Sequence, residues 1–367
     1  MNIVLIGGQQ IPGIGGAENY MFNLARTLVS LNHKVTIICS GRNLSLSTVE
    51  DVTIVTKKCP KSNFVALPLL FFKSISYILA NRKDIDVVNF QAIFMAFFPG
   101  WIYTLLGLKC VYTIHSLAED NPKYGSVVKT LISIWAYISI WCCGNNILTV
   151  SKSKASEIKK RYGKECKVVP CGVDLPTETY NCTSILERFT IRKGCYYLTI
   201  GRIDPVKNLD TLIKAFNQKK NKDYQLVIAG DYGNNYGNLL RELSATNNQI
   251  VFVGSVLGDD KETLLRNCFA NCLVSSSEGM PISLLEAMAY GKPSVVSDIP
   301  AIREIIQEDW GYWCKSRDVK SLIIQMNKIE DDGEDRAKIS KEMSLHIKNN
   351  YTWNHIAKVY VDYLRDN

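Results

Sequence analysis

Four charged side chains and one histidine stand where an enzyme could use them. Arg202 and Lys207 lie in the loop after one apolar run, and His115 ends another. Glu278 follows a third run, and Glu286 lies eight residues further along. Guanidinium and ammonium groups bind phosphate oxygens, whereas carboxylates accept hydrogen bonds from hydroxyl groups. The charged residues therefore suit a ligand with both phosphates and hydroxyls, and a nucleotide-sugar is such a ligand.

A strand, a loop and a helix are predicted to position the two glutamates. The apolar run 271–275 predicts a buried parallel strand, and 294–297 predicts the next one. Between them, Pro281 fits the first turn of a helix and Gly291 fits its end. The free N–H groups at a helix start bind anions, and phosphate is the usual one. Either glutamate alone is more often a solvated surface charge, so the interpretation depends on the pair and the helix start together.

The residues around the two glutamates resemble the signature of glycosyltransferase family 4. From position 277 to 293 they read Ser-Glu-Gly-Met-Pro-x-Ser-Leu-Leu-Glu-Ala-Met-Ala-x-Gly-Lys-Pro. The resemblance implies a retaining enzyme of the GT-B fold, in which Glu278 contacts hydroxyls of the donor sugar and Glu286 holds the ribose hydroxyls. It also implies donor contacts from the residues between them, namely Gly279, Met280, Pro281, Leu284 and Leu285.

Two further loops of the second half resemble the same family. The segment Gly-Arg-x-x-x-x-Lys is similar to its diphosphate clamp, which implies that Arg202 and Lys207 neutralise the charge of the leaving diphosphate. The alternative is that these two basic residues are only solvated. Ser255 and Val256 resemble the family's loop that contacts the nucleobase through backbone groups.

The first half matches the family more weakly. Its glycine-rich loop resembles the family's Gly-Gly-x-Glu loop, where Gly15 and Gly16 let the backbone approach donor or acceptor. A nicotinamide fingerprint would need Gly or Ala where Glu18 stands. A lone histidine is more often structural, but Tyr-Thr-Ile-His-Ser resembles the family's strand-end histidine near the reaction centre. The catalytic set implied by the resemblance is Glu278, His115, Arg202 and Lys207.

Strand and helix patterns alternate through both halves, which predicts an α/β protein with two Rossmann-like, doubly wound parallel-sheet domains. We place an N-terminal acceptor-binding domain at 1–185 and a C-terminal nucleotide-sugar-binding domain at 186–350, joined by an irregular linker in 175–193. The resemblance implies that the two domains face a cleft. It also implies that a C-terminal helix, in 351–367, packs back on the first domain.

Composition and charge indicate a globular protein whose first half is basic. The chain has 367 residues, of which 47% are hydrophobic and 21% charged. Residues 1–174 contain 19 Lys and Arg against 10 Asp and Glu, whereas the remainder contains 24 against 25. No nucleic-acid recognition motif accompanies this charge, so nucleic acid is not expected and an anionic membrane surface is the favoured partner.

Three apolar stretches bear on that membrane contact. They cover 64–79, 93–108 and 127–143, and none provides the ~18–20 uninterrupted apolar residues that a membrane span needs. They could be buried core helices. Alternatively, one or two of them could rest on a membrane and bring the enzyme to a lipid-linked acceptor.

Cysteine usage and acidic spacing predict neither a metal nor a cofactor. The twelve cysteines show no zinc-ligand spacing and are predicted to be reduced, which indicates a cytoplasmic location, with the inner face of the membrane as the place of any lipid contact. The triplet Asp84-Ile85-Asp86 has the form of a metal-binding Asp-x-Asp. It opens an apolar strand, however, so we interpret it as a turn and strand start.

These observations predict a glycosyltransferase that moves a sugar from a nucleotide-diphosphate sugar, with UDP as the favoured nucleotide, to a hydroxyl acceptor. A lipid-linked saccharide in polysaccharide or glycolipid biosynthesis is the favoured acceptor. A sugar-nucleotide epimerase of the same fold is the nearest alternative enzyme. A non-catalytic sugar-nucleotide-binding or partner-activating subunit is the alternative of another class, and the presence of both glutamates and both basic residues argues against it.

Overall fold

The chain folds into two compact α/β units. One contains Met1–Gly172 and Trp353–Asn367, and the other contains Val173–Thr352. The structure is a computed structural model. It describes residues 1–11, 13, 15–60, 63–92, 96–115, 117, 126–177 and 184–366, without the side chains of 63, 64 and 126–128.

The first unit is built around an eight-stranded sheet. Its strands are β1 (Asn2–Gln9), β2 (Lys34–Gly41), β3 (Ser45–Val49), β4 (Val52–Lys58), β5 (Val87–Phe90), β6 (Lys109–Ile114), β7 (Ile147–Thr149) and β8 (Lys167–Val168). The helices between them are α1 (Gly16–Ser30), α2 (Asn63–Asn81), α3 (Phe97–Leu105), α4 (Ser126–Cys142) and α5 (Lys152–Tyr162).

The strand order of this sheet places its switch point between β1 and β5. The order is β3-β4-β2-β1-β5-β6-β7-β8, and every neighbouring pair is parallel except β3 with β4. From β1 the chain builds the sheet outward through β2 and β4, and then continues from β5 in the opposite direction. Ligands of such sheets bind beyond the carboxyl ends of the strands at the point where the order reverses.

The second unit contains a six-stranded, fully parallel sheet. Its strands are β9 (Tyr196–Ile200), β10 (Gln225–Ala229), β11 (Ile250–Gly254), β12 (Ala270–Leu273), β13 (Ser294–Ser297) and β14 (Gly311–Cys314). Its helices are α6 (Ser184–Arg188), α7 (Leu209–Gln218), α8 (Asn235–Ser244), α9 (Gly258–Asn267), α10 (Ile282–Ala289), α11 (Pro300–Arg303), α12 (Val319–Asp331) and α13 (Gly333–Asn350). The order β11-β10-β9-β12-β13-β14 puts the switch point between β9 and β12.

The last helix of the chain, α14 (Trp353–Asp366), belongs to the first unit. A buried polar chain ties it to the sheet, because Nδ2 of Asn89 donates to the Tyr360 hydroxyl at 2.8 Å and the Thr113 hydroxyl donates to Oδ1 of Asn89 at 3.0 Å. The ring of Trp353 also meets that of Tyr20 on α1, with 5.9 Å between centroids. Helix α14 therefore completes the core of the first unit.

The predicted fold class, two doubly wound parallel-sheet α/β domains, is confirmed. The predicted linker 175–193 was wrong in part, since its residues 184–188 form α6, whose Ile185 and Leu186 are buried in the core of the second unit. Contacts divide the units between Gly172 and Val173, whereas the sequence boundary was set after residue 185.

Two local details also differ from the sequence analysis. The hydroxyl of Ser151 accepts a hydrogen bond from the N–H of Lys154 at 3.2 Å, so Ser151 is the N-cap of α5, whereas the serine pattern of Ser151-Lys152-Ser153 favoured Ser153 as the cap. Strand β3 was not predicted, because it is an exposed antiparallel edge strand without an apolar run.

Candidate active site

The loops after β9 and β12 meet at the switch point of the second sheet. The N–H of Ser276 donates to the carbonyl of Val206 at 2.8 Å, and its hydroxyl donates to the same oxygen at 3.1 Å. Nδ2 of Asn208 donates to the carbonyl of Val274 at 2.9 Å. Asn208 has a φ of 49°, a left-handed conformation that asparagine adopts more readily than most residues. Two loops that lie 70 residues apart in the chain are thus held together.

Glu278 lies between a lysine and a serine in these loops. Its Oε1 accepts hydrogen bonds from Nζ of Lys207 at 2.7 Å and from the hydroxyl of Ser275 at 2.5 Å. The Lys207 and Glu278 side chains are only 18% and 11% exposed, and Ser275 is fully buried. Oε2 of Glu278 makes no hydrogen bond or ion pair with any residue that the structure describes. One carboxylate oxygen is therefore anchored, and the other can accept a hydrogen bond from a ligand.

Glu286 is arranged in the same way on α10. Its Oε1 accepts a hydrogen bond from Nζ of Lys261, on α9, at 2.8 Å. Its Oε2 forms no hydrogen bond or ion pair with the residues that the structure describes. Both glutamates of the signature thus have one oxygen held by a lysine and one oxygen available.

Arg202 and Lys207 line a pocket at the carboxyl ends of β9, β10 and β12. The remaining lining residues are Thr199, Ile200, Gly201, Leu209, Ile228, Ala229, Leu273, Val274 and Ser275. Arg202 is exposed and forms no ion pair with a described residue. An exposed guanidinium beside a lysine suits an anionic group, and its planar fork suits phosphate oxygens in particular.

The start of α10 differs in detail from the prediction. Pro281 is the N-cap, with ψ at 96°, and the helix begins at Ile282. The N–H groups of Leu284 and Leu285 donate to the Pro281 carbonyl at 3.0 and 3.3 Å, and both leucine side chains are fully buried. The leucines therefore support the helix from the core side and expose no side chain to a donor. The first-turn N–H groups that remain for an anion are those of Ile282 and Ser283.

The other residues of this unit that were predicted to contact the nucleotide-sugar differ in solvent exposure. Gly279 is half-buried and Met280 is buried, next to Glu278. Ser255 is exposed and Val256 is buried, directly after Gly254, whose φ of 77° turns the chain out of β11. The contact of this loop with a nucleobase stays a prediction.

In the first unit, the glycine-rich loop packs around a carboxylate of its own. Oε1 of Glu18 accepts a hydrogen bond from the N–H of Gln9 at 3.1 Å. A Cβ at position 15 would lie 2.0 Å from Oε2 of Glu18, whereas a Cβ at position 16 would meet nothing within 4 Å. A side chain at position 15 would therefore displace the end of the flexible Glu18 side chain, and the ligand approach predicted for Gly15 and Gly16 stays a prediction.

His115 follows β6, beside Gln91 at the end of β5. Its Nε2 donates to Oε1 of Gln91 at 2.8 Å, and the ring of Tyr20 meets it edge-on with 5.0 Å between centroids. A Cβ at position 7 would lie 2.8 Å from Cβ of Gln91, so the absence of a side chain at Gly7 leaves room for the glutamine. His115 thus lies close to the switch point of the first sheet. Burial lowers the pKa of His115 to about 4, so its imidazole is neutral at neutral pH.

This pKa predicts a pH dependence of folding stability. Between the unfolded pKa of about 6.5 and the folded value of about 4, the unfolded state binds the extra proton. The contribution of His115 to the free energy of unfolding is therefore fully present above pH 6.5 and is lost as the pH falls towards 4. We expect His115→Gln to flatten the stability profile in this window, measured by urea unfolding. Burial also lowers the pKa values of His33 and His346, but these two histidines are present in the wild type and in His115→Gln and change the stability profile of both in the same way. Identical profiles would contradict the assignment.

The predicted metal-free chemistry stays a prediction, although two observations bear on it. Among the residues that the structure describes, no group of three or more His, Cys, Asp and Glu side chains is arranged to hold a metal ion. Oδ2 of Asp86 accepts a hydrogen bond from the N–H of Asn2 at 2.7 Å, which gives the Asp-x-Asp triplet a structural role beside β1.

Two family models match the chain, one in each unit. The model for Glycosyltransferase Family 4 matches residues 14–176, and the model for Glycosyl transferases group 1 matches residues 187–345. The chain belongs to the family 4, group 1 glycosyltransferases. The family that the signature around Glu278 and Glu286 resembled is thereby confirmed, and with it the class of enzyme.

Relatives of this glycosyltransferase span most of its length. An uncharacterized glycosyltransferase of Methanocaldococcus jannaschii is 24% identical over 99% of this chain and 97% of its own. The UDP-Gal:alpha-D-GlcNAc-diphosphoundecaprenol alpha-1,3-galactosyltransferase of Escherichia coli is 26% identical over 70% of this chain and 69% of its own. Among solved structures, HepE of Anabaena in complex with UDP and glucose has a TM-score of 0.79 at 17% identity over 100% of both chains. This likeness supports the GT-B fold.

The structure of the glycosyltransferase brings some predicted residues together within the second unit. Arg202 and Lys207 line one pocket and Glu278 pairs with Lys207, while Glu286 lies further along α10 and pairs with Lys261 of α9. Gly15, Gly16 and His115 belong to the other unit. Sequence reasoning missed the three side chains that hold predicted site residues in place, namely Ser275, Lys261 and Gln91. Two of the three, Ser275 and Gln91, are polar residues just beyond buried strands, and that position was the signal that could have found them.

Proposed function

We propose that this glycosyltransferase transfers a sugar, with retention of configuration, from a nucleotide-diphosphate sugar to a hydroxyl of a lipid-linked saccharide. UDP is the favoured nucleotide. One observation carries the donor assignment: Arg202 and Lys207 line the pocket at the β9–β12 switch point, and Lys207 pairs with the anchored carboxylate of Glu278. That arrangement offers positive charge for a diphosphate and a carboxylate oxygen for sugar hydroxyls.

In the proposed reaction, the bond between the anomeric carbon and the diphosphate oxygen breaks while the acceptor oxygen bonds to the same carbon. Negative charge grows on the leaving diphosphate, where Arg202, Lys207 and the first-turn N–H groups of α10 stabilise it. Oε2 of Glu278 accepts from the donor sugar hydroxyls, and Oε2 of Glu286 accepts from the ribose.

Retention is proposed to occur by attack on the face that the diphosphate leaves. A double displacement would need a carboxylate nucleophile, as retaining glycosidases have. At the switch point of the second unit, Oε1 of Glu278 is already engaged by two donors, which suits a binding role. The acceptor proton then passes to an oxygen of the leaving phosphate. No metal and no cofactor take part in this proposal.

The test is donor turnover with a panel of UDP-, GDP- and ADP-sugars, with and without EDTA. We expect one donor to be hydrolysed slowly, equally well in EDTA, and to give a sugar whose first-formed anomer, followed by NMR, retains the donor configuration. Conversion of the donor to its epimer would favour the epimerase. Binding without any turnover, with or without added acceptors, would favour the non-catalytic subunit. An inverted anomer or a trapped covalent sugar on a side chain would overturn the same-face mechanism.

The acceptor proposal is supported by a relative and by a surface of the first unit. The Escherichia coli relative is named for a UDP-Gal donor and a diphosphoundecaprenol-linked acceptor. The surface is formed by α3 and α4, which are linked where Nε1 of Trp101 donates to the carbonyl of Cys142 at 3.1 Å. Its large hydrophobic side chains are all at least one-third exposed: Phe98, Trp101, Ile102, Leu105, Leu131, Ile134, Tyr137, Ile138 and Trp141.

We propose that this α3/α4 surface rests on an anionic membrane. The opposite face of the same helices is buried in the core of the first unit, so the core alternative holds for that face and the membrane contact is proposed for the exposed one. Trp141 carries the ammonium of Lys164 over its ring at 4.4 Å, which places a positive charge beside the apolar side chains, as a membrane interface favours. None of the helices that the structure describes is both long and apolar enough to cross a bilayer. The eleven described cysteines are free thiols, which supports the proposed cytoplasmic face.

Vesicle flotation tests the membrane contact. We expect the wild type to float with phosphatidylcholine vesicles that contain phosphatidylglycerol. The double variant Leu105→Asp/Trp141→Asp should lose at least about tenfold in bound fraction, because each apolar side chain loses its burial in the lipid. Ile324→Asp, on α12 in the other unit, is the matched control, because the exposure of Ile324 lies between those of Leu105 and Trp141, and it should float like the wild type. A wild type that does not float would exclude this surface as a membrane contact.

A further inference from the structure

One lysine of helix α9 forms an ion pair with Glu286 on helix α10. Lys261 donates to Oε1 of Glu286 at 2.8 Å, and the two side chains are 27% and 20% exposed. The neighbouring charges of α9 have other partners: Arg266 bonds to Oε1 of Glu262 at 2.6 Å and stacks its guanidinium over the ring of Tyr290 at 5.4 Å. These contacts fix α9 against the end of α10 and leave Lys261 directed to Glu286.

We propose that Lys261 is a positioning residue that holds Glu286 in the orientation needed to bind ribose hydroxyls, an inference that rests on the proposed function. A glutamate side chain on a helix surface has three rotatable bonds, and freezing them at the moment of binding costs affinity. An ion pair made before the nucleotide arrives removes part of that cost. Because the ammonium engages Oε1, it leaves Oε2 free to accept from a hydroxyl.

The arrangement repeats what Lys207 does for Glu278, with one difference. Lys207 lines the pocket together with Arg202, so its ammonium can act on the diphosphate as well. Lys261 is not among the residues that line this pocket. The proposed effect of Lys261 on the ribose therefore passes through Glu286.

Two ligands that differ only in the ribose hydroxyls test this assignment. We would measure, by titration calorimetry on the full chain, the Kd of UDP and of 2′,3′-dideoxyuridine 5′-diphosphate for wild type, Lys261→Met and Lys261→Arg. Loss of a nearby positive charge weakens the binding of both ligands to the same extent, because both carry the same diphosphate. Loss of positioning weakens only UDP.

We expect the wild type to prefer UDP over the dideoxy ligand, and Lys261→Met to reduce this preference at least about fivefold, which corresponds to the loss of about one hydrogen bond. Lys261→Arg should restore it, because a guanidinium also pairs with a carboxylate. Lys214→Met is the matched control, since its lysine pairs with Asp210 on α7 at 3.3 Å.

The failures of the two proposals are distinguishable. A wild type that binds neither ligand contradicts the proposed UDP donor site, whereas a wild type that binds both equally contradicts the role of Glu286 in the ribose contact. A wild type that prefers UDP, together with a Lys261→Met variant that prefers it to the same extent, contradicts the positioning role alone. A loss in Lys261→Met that is equal for both ligands does the same, because it shows that the lysine acts only through charge.

Discussion

Replacement of Lys207 by methionine is expected to lower kcat/KM for sugar transfer at least about 100-fold. Removal of one preorganised group that stabilises charge in a transition state typically costs about 10²–10³ in rate. Lys207 faces the proposed diphosphate pocket and also holds Oε1 of Glu278 at 2.7 Å. Its loss leaves that carboxylate, only 11% exposed, with the Ser275 hydroxyl as its one described partner. The loss of positive charge at the diphosphate and the loss of the anchor of Glu278 both act on the sugar-transfer step, so we expect the decrease mainly in kcat.

Lys214→Met is the control for this experiment. Lys214 is exposed and its partner Asp210 is half-buried near the surface, and ion pairs at a protein surface contribute less than about 1 kcal/mol. The control should therefore keep kcat/KM within about twofold of the wild type, and thermal unfolding should show that both variants are folded. Wild-type kinetics in Lys207→Met, with the control unchanged, would remove Lys207 from the catalytic set.

Replacement of Lys219 by methionine is expected to lower the free energy of unfolding of the second unit by about 3 kcal/mol or more. Nζ of Lys219 lies 2.6 Å from Oε1 of Glu330, and the two side chains are 0% and 8% exposed. The rings of Tyr197, Phe216 and Tyr224 surround the ammonium at 5.1–5.8 Å. Removal of one partner of a buried ion pair leaves an uncompensated charge in the interior, and this costs about 3–5 kcal/mol.

A double substitution distinguishes the contribution of the buried ion pair from that of side-chain packing. Replacing both partners of a buried pair by apolar residues is often neutral, so Lys219→Met/Glu330→Leu should recover part of the lost stability. Recovery will be incomplete, because Glu330 also accepts hydrogen bonds from the Tyr197 hydroxyl at 2.6 Å and from Nδ2 of Asn221 at 2.9 Å. Urea unfolding measures both variants. A single variant as stable as Lys214→Met would show that the buried pair does not stabilise the unit.

Sequence patterns located the loops of the site because local features define them. Strands β9 and β12 are short apolar runs, and each is followed by a loop with charged residues. In a parallel sheet these loops emerge on one edge, so the chain pattern alone predicts their approach. The helix after Glu278 was also visible, since Pro281 and Gly291 mark its ends; Gly291 has the positive φ of 62° that favours glycine.

Sequence patterns could not locate the side chains that hold the site residues in place. The contact of Ser275 with Glu278 depends on the turn between them, and that of Lys261 with Glu286 depends on how α9 packs beside α10. The pairing of Gln91 with His115 joins two strands 24 residues apart. Periodicity predicts which face of an element is buried, but not which polar groups meet across elements.

Several elements were missed for a related reason. Helix α13 is mostly polar, and among its residues only Met343 and Ile347 are buried, so its pattern offers little helical signal. Strand β14 has only four residues, which is too short for a clear strand pattern, and it is formed by hydrogen bonds with β13. Packing against the rest of the second unit stabilises these elements more than their own sequence does.

The experiment we would perform first is calorimetric titration of the wild type and Arg202→Ala with UDP. If the loops after β9 and β12 form the diphosphate site, the wild type binds UDP and Arg202→Ala weakens binding at least about tenfold, the factor that corresponds to the loss of one charge-assisted hydrogen bond. Lys214→Met should bind like the wild type. Equal affinity of the wild type and Arg202→Ala would show that the nucleotide binds elsewhere, and would contradict the donor site proposed for this glycosyltransferase.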